Sequence, residues 1–208
     1  MKSYIDELDR NIFNFVEYEG YDDRYPSLSM QAFSSDFYDE IRHASRRLFQ
    51  IFCKAAKVFQ MAPDDFARNM DMPDNLISYL HKSNALGLPT WLSRFDFVLD
   101  INGNLRMVEL NADTPCFLIE SYYANEIAAN YVGRKHPNTE CRKELHTFLK
   151  RMYDAVLSAK YGRNQYKSML ANRERLPKDP FVFSCFHDYF EDYGTTQFLM
   201  NELKTACP

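Results

Sequence analysis

The stretch RFDFVLDINGNLRMVELNAD, residues 94–113, decides the fold at the centre of this chain. It contains Asn102-Gly103, a dipeptide typical of two-residue hairpin turns because both turn positions need a positive φ. Side chains alternate between apolar and polar on both sides of this turn, which predicts two antiparallel strands. One face of the hairpin should pack on a core, although Asn104 and Arg106 interrupt it near the turn. Its apolar members are Phe95, Phe97, Leu99, Ile101, Val108 and Leu110.

The opposite face of the predicted hairpin brings four polar side chains together. With a two-residue turn, Asp96 lies opposite Glu109 and Arg94 lies opposite Asn111. The strand period of two puts all four side chains on one face. Carboxylates directly opposite each other on a sheet repel, so this pair needs a compensating cation or a shared proton. Arg94 supplies part of that positive charge.

Two interpretations of this polar cluster remain open from the residues alone. Two carboxylates and the Asn111 carbonyl are hard oxygen ligands of the kind that Mg²⁺ accepts beside phosphate oxygens. A helix that starts near Thr114 would add an anion-binding N-terminus. The alternative is a set of edge-strand charges that face solvent, with Arg94 paired to Asp96. Spacing by itself favours this alternative.

Helices are predicted before the hairpin. Apolar side chains at spacings of three and four predict a long amphipathic helix over 36–60, with Ser35 as its cap. Two shorter helices follow, one with Pro63 just inside its start and one that ends at Gly87. Residues 1–33 give no firm assignment beyond a short helix near the start.

Helices are also predicted after the hairpin. One begins with Thr114 as its N-cap and Pro115 at its first position. Another spans 139–161 and stops at Gly162. Residues 163–179 are basic and are expected to form a linker.

The last part of the chain predicts a βα half-unit. The almost wholly apolar run FVFSCF, residues 181–186, is typical of a strand buried on both faces, and an acidic turn and a helix over 195–206 follow it. The fold class is therefore mixed α/β. We expect one unit of 1–208, made of a mainly helical region (1–90), the hairpin with its helix (91–135), and a helix with the βα half-unit (136–208).

Composition excludes several classes of protein. The chain has 208 residues and a formal net charge of -4, so it lacks the basic excess of a nucleic-acid binder. Its five cysteines are scattered without a CxxC spacing, which indicates neither a zinc site nor a disulfide framework. No apolar run approaches the roughly 20 residues of a membrane span, and the acidic N-terminus is unlike a signal peptide. We therefore expect a cytoplasmic protein without a nucleic-acid or membrane partner.

Two segments resemble motifs of a known family. RFDFVLDINGNLRMVELNADTPCFLIES, residues 94–121, resembles the glutathionylspermidine synthase family, in which an R-F-D strand, a turn and a strand ending E-x-N-A-D-T-P precede a helix. FVFSCFHDYFEDYGTTQFLMNEL, residues 181–203, is more weakly similar to a family segment with a strand, an E-D pair, a threonine and a helix. That family belongs to the ATP-grasp ligases and is similar to the eukaryotic type of glutathione synthetase. The resemblance therefore implies a partial glutathione-synthetase-like ATP-grasp fold.

The resemblance also implies a reaction and a set of site residues. The reaction is that of an ATP-dependent carboxylate-amine ligase, in which ATP phosphorylates a carboxylate and an amine attacks the acyl phosphate. By position, Arg94 would be the catalytic residue, stabilising the transferring phosphoryl group or the tetrahedral intermediate. The implied Mg²⁺ ligands are Asp96, Glu109 and Asn111. The implied substrate-binding residues are Thr114, Cys116, Glu191 and Thr195. Members of the family commonly have a hydroxyl residue at the position of Cys116, so this cysteine is a departure from the family pattern. The substrate that the resemblance implies is a small peptide or a polyamine-like molecule.

The nucleotide-binding half of such an enzyme is not found in this sequence. ATP-grasp ligases of this type hold ATP with lysines, a glycine-rich lid and further acidic ligands in a C-terminal half, and the 6 glycines of this chain are scattered. The implied cofactor is therefore Mg²⁺, with ATP if that half is present, and no nucleotide-binding residue is assigned. We expect the N-terminal portion of a ligase, inactive by itself, whose partner is the missing C-terminal half or a second copy. The alternative is a truncated, non-catalytic binding or scaffold module derived from this fold.

Overall fold

The computed structural model describes residues 3–17, 25–85, 90–113, 115–136, 138–172, 181–186 and 188–207. The chain divides into two compact units. One unit is the continuous segment 31–115, and the other joins residues 1–30 to residues 116–208. Helices and one antiparallel hairpin make up the described secondary structure, which confirms the mixed α/β class.

Within the described residues of the unit 31–115, three helices precede the hairpin. They are α1 (Ser35–Gln60), α2 (Asp64–Asn69) and α3 (Asp74–Ala85). The Ser34 hydroxyl accepts a hydrogen bond from the Phe37 backbone N–H at 3.1 Å and caps α1. The predicted long helix is thus confirmed, with its cap one residue earlier than expected. Pro63 is the N-cap of α2 rather than its first residue, and Gly87 lies outside the described residues.

The half-buried face of α1 packs within this unit. The Phe52 ring lies 5.9 Å from the Phe95 ring of the hairpin. Three positions predicted for the apolar face, Ile51, Ala55 and Val58, are exposed instead. Apolar spacing identifies the positions able to pack, but burial also requires a neighbouring element. This unit does not cover the whole apolar stripe.

Two strands form the predicted antiparallel hairpin, β1 (Arg94–Leu99) and β2 (Leu105–Asn111). Its turn differs from the prediction. Gly103 has a φ of 79°, whereas Asn102 has no positive φ. The Gly103 N–H donates to the Asp100 carbonyl and the Asp100 N–H donates to the Asn104 carbonyl, each at 2.9 Å. This pattern is a three-residue loop with a glycine bulge, and Ile101, predicted on the core face, is fully exposed in it.

A β-bulge on β2 restores the predicted pairing at the open end of the hairpin. Near the turn the strands pair one residue out of the predicted register, as in the pair Phe97–Met107. The register shifts between Asp96 and Phe97, which leaves Val108 as the extra residue of β2, and Asp96 then pairs with Glu109. The predicted pairing of the polar cluster is confirmed. Val108, predicted on the core face, is exposed at the bulge.

The unit formed by residues 1–30 and 116–208 is helical. It begins with a 3₁₀ turn over Tyr4–Glu7, which confirms the short helix predicted near the start. Gly162, with a φ of 82°, ends the long helix as predicted, but a further helix follows at once where a linker was expected. The later elements are a π-helical turn (Glu120–Ala124), α4 (Asn125–Tyr131), α5 (Cys141–Tyr161), α6 (Arg163–Ala171) and α7 (Phe190–Ala206). None of the helices that the structure describes is long and apolar enough to cross a membrane.

The N-terminal segment provides the centre of this unit's core. Phe13 and Val16 are fully buried, as is Ile119 of the helix that follows the hairpin segment. α7 approaches them through Gly194, where a Cβ atom would lie 2.8 Å from the Asn14 side-chain oxygen. Residues that the sequence pattern left unassigned therefore contribute some of the most deeply buried side chains.

The helix after the hairpin begins later than predicted. Thr114, the predicted N-cap, lies outside the described residues. Pro115 is not helical, and the helix starts at residue 118. Phe117 has a φ of 84°, a left-handed backbone conformation that cannot belong to a right-handed helix. The prediction of Pro115 at the first helical position is therefore wrong.

The apolar run over 181–186 is not a strand. In the described part of the chain the only sheet is the hairpin of β1 and β2. Phe181 and Phe183 pack against the core, while Val182 and Phe186 are exposed. A strand needs a neighbour for its backbone hydrogen bonds, and apolar composition does not supply one. α7 begins at Phe190, so residues 190–194 of the predicted acidic turn belong to the helix.

Candidate functional site

Four polar side chains meet at the open end of the hairpin. Arg94 donates two parallel hydrogen bonds to Asp96, from Nε to Oδ1 at 2.7 Å and from Nη2 to Oδ2 at 2.9 Å. The Asn111 amide donates to Glu109 Oε1 at 2.7 Å and to Asp96 Oδ2 at 3.4 Å. The structure therefore brings the four predicted residues into one hydrogen-bonded cluster.

Arg94 compensates the facing carboxylates. Its hydrogen bonds hold the pKa of the Asp96 carboxyl below its usual range, against the opposite effect of burial. Asp96 therefore stays ionised where it faces Glu109 on the other strand. The guanidinium of Arg94 and the amide N–H groups of Asn111 supply the positive charge and donors that this repulsive pair requires.

A second cluster lies in the helical unit, around the thiol of Cys116. The Cys116 Sγ donates to Asp192 Oδ1 at 3.1 Å. Asp192 and Glu191 occupy the first turn of α7. Thr195 follows Glu191 by four residues, which puts the two on one side of the helix, and it is buried with 7% exposure. This cluster contains three of the residues predicted to bind substrate.

The environment of Cys116 determines its chemistry. Burial raises the pKa of the Cys116 thiol to about 12, and the hydrogen bond to Asp192 and the charge of Glu191 add to the rise. The Thr195 hydroxyl acts in the opposite direction. The thiol is therefore protonated at neutral pH and serves as a hydrogen-bond donor rather than as a nucleophile.

Comparison with known proteins decides the family. A family model described as glutathionylspermidine synthase preATP-grasp matches residues 4–207. The chain belongs to this family. The resemblance indicated by the glutathionylspermidine synthase motif over 94–121 is therefore confirmed. No curated protein and no solved structure gave a significant match.

The structure divides the predicted site residues of this preATP-grasp chain between its two units. The hairpin unit carries Arg94, Asp96, Glu109 and Asn111. The helical unit carries Cys116, Glu191 and Thr195. Thr114 lies outside the described residues. Each unit thus presents its own cluster of predicted residues.

The hairpin cluster of this preATP-grasp chain fits a divalent cation by the chemistry of its donors. The carboxylates of Asp96 and Glu109 and the amide oxygen of Asn111 are hard oxygen ligands. In the structure both Asp96 oxygens accept hydrogen bonds from Arg94, and Asn111 directs its N–H groups at the carboxylates. A bound cation therefore requires the Asn111 amide to turn. Among the described residues, no group of three or more His, Cys, Asp or Glu side chains is placed to hold a metal.

One residue of the second cluster was missed by sequence reasoning. Asp192 binds the Cys116 thiol but was not singled out as a site residue. The signal that could have found it is its position three residues before Thr195, which is a same-face spacing on a helix. That spacing is informative only if α7 begins before residue 192, and the predicted helix began at 195.

Proposed function

We propose that this chain is the N-terminal portion of an ATP-dependent carboxylate-amine ligase and that it supplies magnesium ligands and peptide-substrate contacts. One observation carries the proposal. In a chain of the glutathionylspermidine synthase preATP-grasp family, the hairpin pairs Asp96 with Glu109 and places Arg94 and Asn111 beside them. Carboxylates that face each other destabilise a strand pair. A function that uses both the Asp96 and the Glu109 carboxylates would explain why they face each other here.

Asp96, Glu109 and Asn111 are the proposed magnesium ligands. When bound, Mg²⁺ would neutralise phosphate oxygens and orient them for transfer. The Asp96 carboxylate is ionised at neutral pH, and the hydrogen bonds from Arg94 lower its pKa further. Arg94 is the proposed catalytic residue, because a guanidinium matches the geometry and charge of phosphoryl oxygens.

Thr114, Cys116, Glu191 and Thr195 are the proposed contacts of a small peptide or polyamine-like substrate. The acidic pair at the start of α7 supports this role, because carboxylates there would attract an amino group. The thiol of Cys116 and the hydroxyl of Thr195 add neutral hydrogen-bonding groups to the same cluster. Nucleotide-binding residues are assigned to the C-terminal ATP-grasp half, which is the proposed partner.

A non-catalytic binding or scaffold module is the second candidate function. The ion pair between Arg94 and Asp96 favours it, since both oxygens of this carboxylate already accept hydrogen bonds from the guanidinium. In that case the four polar side chains stabilise the open end of the hairpin, and no divalent cation binds there.

Paramagnetic broadening by Mn²⁺ distinguishes these two candidates. Mn²⁺ accepts the same oxygen ligands as Mg²⁺ and broadens the NMR signals of nuclei close to it. With substoichiometric Mn²⁺ we expect selective loss of the backbone amide signals at Asp96 and Glu109, and recovery with excess Mg²⁺. Glu109→Gln should remove the effect while leaving the remaining spectrum unchanged.

Asp100→Asn is the matched control for that experiment. Asp100 is another arginine-paired carboxylate of the hairpin, bound by Arg106 at 2.9 Å near the turn. An asparagine there can still accept hydrogen bonds from the Asn102 and Asn104 backbone N–H groups. Broadening at Asp96 should be unchanged in this control. Equal broadening in Glu109→Gln, or no selective broadening at all, would support the scaffold module.

Calorimetry tests the assignment of nucleotide binding to another part of the enzyme. Titration of ATP into the chain already saturated with Mg²⁺ should give no saturable heat, because no residue here is assigned to hold the nucleotide. Saturable ATP binding by this chain alone would contradict that assignment, whatever the result at the hairpin.

A further inference from the structure

The loop at the tip of the hairpin contains the only Asn-Gly pair in the chain, Asn102-Gly103. Both residues are exposed, and a Cβ atom at Gly103 would meet nothing within 4 Å. The loop joins the strands at the end away from the polar cluster, and it contains none of the predicted site residues. A chemical change at this loop would therefore be independent of the residues proposed to bind magnesium or substrate.

The two asparagines of this loop differ in what holds their side chains. The Asn104 amide donates to Asp100 Oδ2 at 3.0 Å. The backbone N–H of Asn102 donates to Asp100 Oδ1 at 2.9 Å, but no described residue is hydrogen-bonded to the side-chain amide of Asn102. The Asn102 amide can therefore turn towards the backbone of the residue that follows it.

An exposed asparagine that precedes glycine can react with its own backbone. The Gly103 nitrogen attacks Cγ of Asn102, an N–C bond forms, and the side-chain nitrogen leaves as ammonia with the former Gly103 amide proton. The product is a cyclic imide, and water opens it at either carbonyl to give aspartate or isoaspartate. Glycine favours the first step because it has no Cβ atom to block the approach.

One hydrogen bond opposes the attack. The Gly103 N–H donates to the Asp100 carbonyl at 2.9 Å, and this bond must open before the nitrogen can react. Exposed loop tips with few packed neighbours open at little cost in free energy. Because Gly103 lies at such a tip, the bond should slow the reaction without preventing it.

We propose that Asn102 is a site of spontaneous modification, where water replaces the side-chain amide through a cyclic imide formed with Gly103. Both products add a carboxylate two residues from Asp100, which already accepts hydrogen bonds from Arg106. Isoaspartate also adds a methylene group to the main chain of the loop. The inference does not rest on the proposed ligase function, because the reaction needs only this chain and water.

Incubation of the unaltered folded protein at mildly alkaline pH and physiological temperature tests the proposal. Peptide mapping by mass spectrometry, with electron-transfer fragmentation to tell isoaspartate from aspartate, follows both asparagines of the loop. Asn104 is the internal control, because it is exposed in the same loop and its following residue, Leu105, has a Cβ atom. We expect both products to form at Asn102 at least about tenfold faster than any product forms at Asn104.

Asn102→Gln tests the assignment to this side chain. Glutamine keeps the amide group but must close a larger ring, which forms far more slowly, and it replaces an exposed residue without a positive φ. Neither product should form at this position over the same incubation. Asn104→Gln is the matched control and should leave the conversion of Asn102 unchanged. An undiminished gain of mass in the same peptide of the Asn102→Gln protein would overturn the proposal.

Protein unfolded in urea shows that the mapping detects the reaction when no turn is present. Conversion of Asn102 in the unfolded chain, with no excess over Asn104 in the folded protein, would mean that the turn protects Asn102 and would overturn the proposal. Aspartate formed without isoaspartate would indicate direct hydrolysis of the amide, and it would overturn the cyclic route. Formation of both isomers in the folded protein supports the site.

Discussion

Asp96 pairs with Glu109 across the hairpin, at the last positions before the register shifts at the bulge. Two carboxylates meet there because the strands pair in this register, and Arg94 on the same strand as Asp96 compensates them through hydrogen bonds of 2.7 and 2.9 Å. The polar cluster is therefore a product of strand register and one ion pair, and both can be perturbed separately.

Removal of the guanidinium should be visible in the titration of Asp96. In the folded protein its pKa lies below the ordinary 3.8 because of the hydrogen bonds from Arg94. The interaction of Arg94 with Asp96 therefore adds to the free energy of unfolding. That contribution is complete above the pKa that Asp96 has in the unfolded chain, and it is lost as the pH falls through the lower pKa of the folded protein. In Arg94→Gln we expect the pKa of Asp96, followed by carboxyl ¹³C NMR, to rise. The pKa of Asp100, which Asn104 and Arg106 lower, should stay unchanged. An unshifted Asp96 would show that Arg94 does not control its charge.

The turn can be tested by two alanine substitutions. Gly103→Ala should destabilise the protein by about 1 kcal/mol, because the residue there has a φ of 79° although its surroundings leave room for a Cβ atom. Asn102→Ala should cost less, since this position has no positive φ. Urea denaturation followed by circular dichroism measures both. Equal costs at the two positions would instead indicate the two-residue turn predicted from the dipeptide.

A side chain at Gly194 should crowd the core. A Cβ atom there would lie 3.0 Å from the buried Phe15 ring and 3.2 Å from the buried Ile119 side chain, whereas the exposed Asn14 side chain, 2.8 Å away, can turn aside. Gly194→Ala should therefore cost about 2 kcal/mol of overpacking, although alanine is the better helix former. Asn201→Ala, at an exposed position of α7, is the control for helix propensity and should be neutral or stabilising. A stabilised Gly194→Ala protein would show that α7 does not approach the N-terminal segment this closely.

Glu202 joins α7 to α5 through a buried charge. Its carboxylate is 4% exposed and accepts hydrogen bonds from Arg142 at 2.7 and 3.1 Å and from His146 at 2.6 Å. Burial acts to raise the pKa of Glu202, but these hydrogen bonds outweigh it and lower the pKa. Arg142→Ala leaves the Glu202 carboxylate without its main partner. Breaking a fully buried ion pair costs roughly 3–5 kcal/mol of stability. Because the guanidinium of Arg142 is partly exposed, we expect the free energy of unfolding to fall by only about 2 kcal/mol.

A double-mutant cycle with Glu202→Gln checks that assignment. The loss of unfolding free energy in the double variant should be smaller than the sum of the losses in the two single variants, because each single substitution removes the same interaction. Additive losses in denaturant titrations at neutral pH would mean that the pair contributes no coupling.

His136 should make stability depend on pH near neutrality. The residue is 6% exposed, and burial lowers its pKa below the ordinary 6.5, against a smaller opposite effect of Glu126. Because the unfolded chain binds the proton more readily, stability should fall as the pH drops from about 7 through 6.5 towards the folded pKa. His136→Gln should show a shallower decline than the natural chain over pH 5.5 to 7.5, measured by thermal denaturation. Parallel curves would contradict the assignment to this residue.

Sequence patterns predicted the long helices and the pairing of the polar cluster because those features depend on local periodicity. Helix α1 follows from its apolar spacing, and Gly162 marks the end of α5. The pairing of Asp96 with Glu109 was predicted from the wrong turn. The loop at Gly103 shifts the register by one residue, and the bulge at Val108 shifts it back. The two deviations cancel only beyond the bulge.

The sequence by itself determined the elements whose signal lies within a few residues, namely the long helices α1 and α5, the alternating strands and the motif that indicated the family. Tertiary structure alone decided which apolar residues are buried. Phe13 and Val16 lie in a segment without periodicity yet are fully buried, whereas the apolar run over 181–186 has no strand partner and leaves Val182 exposed. The physical reason is that burial and sheet hydrogen bonding depend on partners distant in the chain, and local composition does not specify those partners.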